Sequence, residues 1–262
     1  MAAADFELVE NLPFERTTVI GARARIGLVV LASDYTIEHE FRTLIDQPGV
    51  DVFHARIMNS PEISPQSLAA MEPAITETAT RILPDDHVDV LAYACTSASV
   101  VLGSDNVSTH PNKAKPDAKT TDPVRAAFAA LQTLGARRIA LLTPYQSSVN
   151  RMVHGCFNDA GFDVPIFGSF NEPMDPVVAQ ISDESIANAV RRLTRDHDVD
   201  AVFVSCTTVR MAGLIPALED DIGVPVTSSN HALAWHCLRL AGIEQPVYGR
   251  GRLYELAPGS EN

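Results

Sequence analysis

The sequence has few basic residues, few aromatic residues and no long apolar run. It contains 20 Lys and Arg against 33 Asp and Glu, so its formal net charge is -13, and its basic residues are dispersed. A nucleic-acid surface needs clustered Lys and Arg. A membrane span needs roughly 18 or more apolar residues in a row, and the first residues also lack the basic and apolar regions of a secretory signal. We therefore expect a cytoplasmic protein with no nucleic-acid partner and no membrane partner.

Cysteine is also scarce, and its spacing excludes the common metal motifs. The sequence holds four cysteines and eight scattered histidines, without CxxC or HxxxH spacing. Because 46% of the residues are apolar, the chain can bury a core without disulfides. We expect a globular protein with free thiols and no metal. Packing roles are predicted for Cys156 and Cys237, and capping or surface roles, rather than positions along a cleft, for His154, His231 and His236.

The chain contains two copies of one unit. Four segments recur in the same order, with a nearly constant spacing between the copies. Short apolar runs bounded by turn signals indicate buried strands, and the helical stretches between them predict parallel sheets. We predict an α/β fold of two similar doubly wound lobes, related by a pseudo-two-fold axis, with the active site in the cleft between them. The matching segments are 25–31 with 138–144, 50–53 with 162–165, 88–97 with 199–208, and 120–131 with 227–238.

The repeat also divides the chain. We expect an N-terminal extension (1–24), a first lobe (25–135), a second lobe (136–250) and a C-terminal tail (251–262), with part of the C-terminal segment free to pack back on the first lobe. Residues 103–119 break the symmetry because they are polar, contain proline and have no periodicity. This segment is interpreted as a loop, either a mobile surface loop or a substrate lid over the first cysteine.

A Cys-Thr pair ends the third strand of each copy, at Cys95 and at Cys206. Ligands of parallel α/β sheets collect at the carboxyl ends of strands, where a helix N-terminus lowers the pKa of a thiol. We therefore predict that these two residues are catalytic and act from opposite sides of one cleft. A Cys-Thr pair that occurred only once could simply be the small-residue end of a buried strand. Its repetition at matched positions favours a catalytic role. Substrate carboxylate binding is predicted for Thr96, Ser97, Thr207 and Thr208.

Segments 27–40, 94–99, 142–150 and 205–208 resemble the Asp/Glu racemase superfamily, and within it the maleate isomerase and arylmalonate decarboxylase branch. The resemblance covers about residues 24–250. It implies two α/β lobes, no cofactor and an oligomer. It also implies that Cys95 is the nucleophile or first base, that Cys206 is the opposing acid, and that Tyr145 binds a substrate carboxylate. Because the decarboxylases keep only the second cysteine, an isomerase or racemase is favoured.

Two acidic residues depart from the maleate isomerase pattern. Asp34, after Ser33 in the first loop, and Asp175 stand where that pattern has asparagine. A carboxylate cannot donate a hydrogen bond to a substrate carboxylate, and it repels one. Asp34 is expected to hold a substrate ammonium or amidinium, to orient Cys95, or to cap a helix. Ser33, Asp34 and Asp175 are therefore predicted substrate-binding residues.

We predict a cofactor-independent isomerase or racemase of a small nitrogen-bearing carboxylic acid. The loop 32–40 also resembles ectoine-utilisation proteins, which implies ectoine or a ring-opened diaminobutyrate derivative as the substrate. A decarboxylase or lyase on the same fold is the enzymatic alternative. Two further hypotheses remain, a non-catalytic protein that binds a small acid and a thiol redox switch.

Overall fold

The computed structural model describes residues 6–256, which form two four-stranded parallel sheets. The first sheet has the order β2-β1-β3-β4 and the second the order β6-β5-β7-β8. This equal order confirms the predicted α/β fold of two lobes with parallel sheets. The strands are β1 Ala24–Leu31, β2 Val50–Ile57, β3 Val90–Ala94, β4 Lys119–Thr121, β5 Arg138–Thr143, β6 Asp163–Ser169, β7 Ala201–Val204 and β8 Val226–Ser228.

Helices connect the strands and cover the sheets, as parallel pairing requires. In chain order they are α1 Ile37–Leu44, α2 Pro65–Ala69, α3 Glu72–Thr80, α4 Thr96–Leu102, α5 Ser104–Ala114, α6 Pro123–Thr133, α7 Ser147–Asp159, α8 Asp175–Val178, α9 Asp183–Thr194, α10 Ile215–Ile222, α11 Ser229–Leu240 and α12 Arg252–Glu255. Among the residues described, no helix is both long enough and apolar enough to cross a membrane.

The central strands are apolar along their whole length because both faces of each sheet are covered. In β1 all residues except Arg25 are buried, and β3 and β7 are buried throughout. Gly27 of β1 packs directly against β3, since a Cβ atom there would lie 2.7 Å from Leu91 Cδ1. These strands position both cysteines, because Cys95 follows β3 directly and Cys206 follows β7 after one residue.

The helix that follows the last strand, α11, packs on the first lobe. Helix α11 lies against α6 and α1, and the apolar core on this side combines residues of β1 with residues of α11. Ala126 and Ala130 of α6 and Ala232 and Leu233 of α11 belong to this core. Small residues allow the helices to approach closely, so the first lobe is completed by a segment from the end of the chain.

Residues 103–119 do not form the loop that their composition indicated. They form all of α5, which packs on α3, and the first residue of β4. Only Val107 and Pro111 of α5 are buried, one turn apart, and they face the core while the polar residues face water. Two apolar positions are too few to show a helical period in the sequence. No residue of this segment lines the cavity described below, so the interpretation as a loop covering the first cysteine is wrong.

In the described part of the N-terminal extension, residues 6–23 form no helix or strand, and Ala24 already begins β1. The extension exposes several large apolar side chains, among them Phe6, Leu12, Phe14 and Ile20. Gly21 N–H, at the end of the extension, donates to Asp51 Oδ2 at 2.8 Å beside the start of β2.

Phe157 is the aromatic centre of the second lobe and gives the first testable prediction. It is fully buried on α7 and contacts the rings of Phe128, Phe162 and Phe203. We expect Phe157→Ala to lower the free energy of unfolding in urea by about 3–5 kcal/mol, because the cavity cannot close against three rings. Met152→Ala on the same helix is the control, since Met152 is 36% exposed and its loss should cost no more than about 0.5 kcal/mol. Equal losses for the two variants would contradict this account of the core.

Candidate active site

Both strand-end cysteines line one cavity. It contains about 370 Å³ of space not filled by atoms, part of it open to solvent. No Lys, Arg or His side chain is among its lining residues. The predicted site residues that line it are Cys95, Thr96, Ser97, Tyr145, Asp175, Cys206, Thr207 and Thr208, and the other lining residues are Leu31, Asn59, Ser60, Glu62, Ile63, Ser67, Leu68 and Met71.

Cys95 lies at the start of a regular helix. It is the N-cap residue of α4, with an extended backbone at φ -145°, and its carbonyl oxygen accepts the Ser99 N–H at 3.0 Å. Its Sγ atom lies 3.7 Å from Ser97 Oγ. The local backbone of α4 therefore fixes the first thiol.

Cys206 lies in a different backbone setting. Its φ of +133° is in the left-handed region that residues with a Cβ rarely adopt. Its N–H donates to Ser229 Oγ at 3.0 Å, and Thr96 Oγ1 donates to the same oxygen at 2.7 Å. The hydroxyl of Ser229 thus joins the two cysteine turns.

The pKa of each pocket thiol lies above the ordinary value of a cysteine, contrary to the expectation of a lowered pKa. Burial raises the pKa of Cys95 to about 12, and it raises the pKa of Cys206 further. The Asp175 carboxylate also raises both values. Nearby backbone N–H groups lower both pKa values, that of Ala98 for Cys95 and that of Thr208 for Cys206. They offset only part of the effect of burial.

Tyr145 places a free hydroxyl beside the two thiols. The side chain is buried, and its hydroxyl lies beside the Cys206 thiol and the Ser205 hydroxyl without a fully formed hydrogen bond to any described residue. Burial raises the pKa of Tyr145 well above its ordinary value, and the proximity of Cys206 and then of Cys95 adds to this shift. A neutral hydroxyl without a partner can donate a hydrogen bond to a substrate oxygen in the pocket.

Asp175 brings a carboxylate to the same cavity. Ser33 Oγ donates to its Oδ2 at 2.5 Å, and Thr208 Oγ1 donates to its Oδ1 at 2.7 Å. Asn59 Nδ2 in turn donates to Ser33 Oγ at 2.8 Å. Burial raises the pKa of Asp175, while the two hydroxyls lower it. Ser33 does not line the cavity, so the geometry gives it a role in orienting Asp175.

Asp34 is buried behind the lining residues and caps a helix. Its Oδ1 accepts the N–H groups of Thr36 at 2.7 Å and Ile37 at 2.9 Å, at the start of α1. Its Oδ2 is buried without a hydrogen-bond partner among the described residues. Burial raises the pKa of Asp34 against the lowering effect of the two N–H groups and of the nearby Thr207 hydroxyl. Of the three roles considered, the geometry shows the cap.

The cap and the charge of Asp34 can be separated by substitution. Asparagine caps helices about as well as aspartate, so we expect Asp34→Asn to keep the stability of the protein. Asp34→Ala should lower the free energy of unfolding by about 1 kcal/mol because the two N–H groups lose their acceptor. Urea unfolding of both variants tests this. Equal stability of the alanine variant and the natural chain would show that the cap contributes nothing.

The remaining cysteines and histidines lie away from the cavity. All four cysteines are free, with Cys237 buried in α11 and Cys156 half-buried in α7. The expected capping or surface role is wrong for His231, which is fully buried between Thr227 Oγ1 and the Arg250 carbonyl. No group of residues in the described chain has the arrangement of a metal site.

Sequence reasoning did not identify Ser229, Asn230 and Glu40, which hold the backbone around Cys206. Ser229 and Asn230 lie in the repeated segment 227–238, and Glu40 lies in the segment 27–40 that carries the family resemblance. These residues bond mainly to backbone groups distant in sequence, which no local motif shows.

Comparison with known proteins agrees with this geometry. The arylmalonate decarboxylase family profile matches residues 26–254. A maleate isomerase of Nocardia farcinica is 31% identical over 240 residues, which cover 87% of this chain and 94% of that protein. Its structure with bound TRIS has a TM-score of 0.80 at 29% identity and covers 88% of this chain and 98% of that chain.

A further solved structure shows cysteine chemistry on this fold. It is a cysteine-to-serine mutant of the Nocardia farcinica enzyme with a covalently bound succinylcysteine intermediate, with a TM-score of 0.78 and 28% identity over 88% of this chain and 98% of that one. These relatives confirm the prediction of an isomerase-type enzyme. The two-lobed fold, the cysteine-lined cavity and the match over most of its length show that this chain belongs to the arylmalonate decarboxylase family.

Proposed function

We propose that this protein is a cofactor-independent isomerase or racemase of a small carboxylic acid that carries a nitrogen atom. The observation that carries the proposal is the composition of one cavity. It presents two thiols, of Cys95 and Cys206, together with the Asp175 carboxylate, and none of its lining residues is a Lys, Arg or His. Two thiols support proton transfer or covalent addition, and the carboxylate supports recognition of a cation.

The charge of the site favours a nitrogen-bearing acid over a dicarboxylate. Asp175 and Glu62 line the cavity, and the Asp34 carboxylate is buried behind it. A dianion such as maleate, the substrate named for the relatives, would meet these carboxylates without a cation to balance them. An ammonium or amidinium group would pair with Asp175, while the hydroxyl groups of Ser97 and Thr207 can donate to a single substrate carboxylate. Ectoine and its ring-opened diaminobutyrate derivatives have this combination of groups.

The chemistry begins when one thiol loses its proton to water, since part of the cavity is open to solvent. Because Asp175 raises the pKa of both thiols, a bound cation that pairs with Asp175 lowers those values and favours a thiolate. In racemisation, the thiolate of one cysteine removes the α-proton, and the thiol of the other donates its proton to the opposite face of the carbon. In isomerisation, the thiolate adds to a double bond, the bond rotates, and elimination returns the thiolate. In either reaction we expect the Tyr145 hydroxyl to donate a hydrogen bond to the substrate carboxylate.

Solvent exchange tests the proposal directly. The purified enzyme is incubated in D₂O with ectoine, with each enantiomer of diaminobutyrate and its acetyl derivatives, and with maleate. We expect deuterium at the α-carbon, or geometric conversion, of a nitrogen-bearing acid by nuclear magnetic resonance. Faster turnover of maleate than of every nitrogen-bearing acid would contradict the proposed substrate class.

The family profile favours one alternative reaction, decarboxylation. Proton transfer to a carbanion is common to both reactions, and the difference is whether carbon dioxide leaves first. Release of carbon dioxide from a substituted malonate, without exchange into any amino acid, would support that alternative. A ligand that raises the melting temperature without being converted would instead indicate a binding protein.

A further inference from the structure

A buried glutamate of the first lobe is bonded to the loop that carries the second cysteine. We define the Cys206 loop as residues 206–212, which lie between β7 and α10 and form no helix or strand. Glu40 of α1 is 3% exposed and does not line the cavity. Its Oε1 accepts the N–H groups of Met211 and Ala212, both at 2.6 Å, and its Oε2 accepts Asn230 Nδ2 at 2.8 Å. One carboxylate thus receives three hydrogen bonds.

The rest of the Cys206 loop is also held by groups outside it. None of its backbone N–H groups donates to a backbone carbonyl among the described residues. Asn230 Nδ2 donates to the Thr207 carbonyl at 2.7 Å, and Thr36 Oγ1 donates to the Thr208 carbonyl at 2.8 Å. A loop without backbone pairing of its own takes its position from such partners.

The two cysteines differ in what fixes them. Cys95 has an ordinary φ and is held by the backbone of α4. Cys206 has a φ of +133°, and a residue with a Cβ keeps such a conformation only where its surroundings enforce it. Because α1 belongs to the first lobe, Glu40 joins the Cys206 loop to the lobe that carries Cys95.

We propose that Glu40 is a positioning residue for Cys206, and that its carboxylate keeps the second thiol opposite Cys95 by fixing the backbone of the Cys206 loop from the first lobe. Glu40 touches no substrate atom. The expected effect of Glu40 on turnover rests on the proposed function. Its expected effect on the reactivity of the Cys206 thiol, in the enzyme without substrate, does not.

The test compares matched glutamate variants of the full chain. Glu40→Gln removes the charge while keeping the shape. Glu219→Gln is the control, because Glu219 is also 3% exposed and also accepts two backbone N–H groups, those of Val226 at 2.9 Å and Arg252 at 2.8 Å, outside the cavity. The free enzymes are alkylated with iodoacetamide, and the rate at each cysteine is followed by peptide mass spectrometry. Cys237, buried in α11, reports general unfolding.

In Glu40→Gln we expect the alkylation rate of Cys206, relative to that of Cys95, to rise roughly tenfold, because charge-assisted hydrogen bonds that hold the loop are lost. Glu219→Gln should leave this ratio unchanged, and Cys237 should stay unreactive in both variants. With an identified substrate, Glu40→Gln should lower kcat and leave KM nearly unchanged. A constant ratio in Glu40→Gln, or a rise of Cys237 in step with Cys206, would overturn the proposal, whether or not the enzyme turns over any nitrogen-bearing acid.

Discussion

Replacing either pocket thiol with a hydroxyl should nearly abolish turnover. We expect Cys95→Ser and Cys206→Ser each to lower kcat by roughly 10² to 10⁴-fold, because positioned proton transfer contributes about that factor and serine is a far weaker acid than cysteine. Both sulfur atoms line the same cavity, so neither can replace the other on the opposite face of the substrate. Steady-state kinetics on the substrate found by solvent exchange measures the effect.

A matched variant separates chemistry from folding. Cys156→Ser changes the same atom on α7, outside the cavity, and should keep kcat within about twofold, because the half-buried Cys156 side chain lies away from the reacting groups. Single-turnover exchange in the two pocket variants adds detail. If one of them still exchanges the α-proton without inverting the centre, the remaining cysteine is the base for that face. Full activity in either pocket variant would refute two-sided cysteine catalysis.

Removing the Asp175 charge should have two effects of opposite direction. We expect Asp175→Asn to weaken binding of a nitrogen-bearing acid roughly 10- to 100-fold, because a hydrogen bond between charged partners contributes about 1.5–3 kcal/mol. The same variant should alkylate faster at Cys206 in the free enzyme at about pH 8, since more of the thiol is then ionised. Because the Asp175 carboxylate raises the pKa of the Cys206 thiol, removing its charge lowers that pKa.

The control for this prediction is the other carboxylate of the cavity. Glu62→Gln removes a charge from the exposed rim and should change both measurements by less than about threefold, as exposed charges are screened by water. Measuring alkylation across a range of pH gives the thiol pKa in each variant. An unchanged profile in Asp175→Asn would show that this carboxylate is protonated in the free enzyme and has no influence on the thiol.

The strands and the cysteine turns could be predicted because their signals are local. A buried parallel strand needs a continuous apolar run, and both copies of that run ended in Cys-Thr, at Cys95 and at Cys206. The repeat then indicated that the two turns belong together. Parallel sheets place strand ends on one edge, so the shared cavity followed from the pattern.

The parts that were missed depend on distant contacts. Helix α5 buries only Val107 and Pro111. Two apolar positions are too few to predict from the sequence that this segment is a helix packed on α3. The thiol pKa values depend on burial by both lobes, which outweighs the nearby N–H groups of α4. Glu40 accepts hydrogen bonds from Met211 and Asn230, which are distant from it in the sequence. Nothing in its own segment distinguishes it from a surface glutamate.

The packing of α11 on the first lobe has a consequence for how the two repeats depend on each other. Ala126 and Ala130 of α6 are covered by α11, which comes from the second repeat. A polypeptide corresponding to the first repeat alone would leave this apolar surface in water, and we expect such a fragment to aggregate or to associate with another chain. Neither repeat is therefore expected to fold as an autonomous unit.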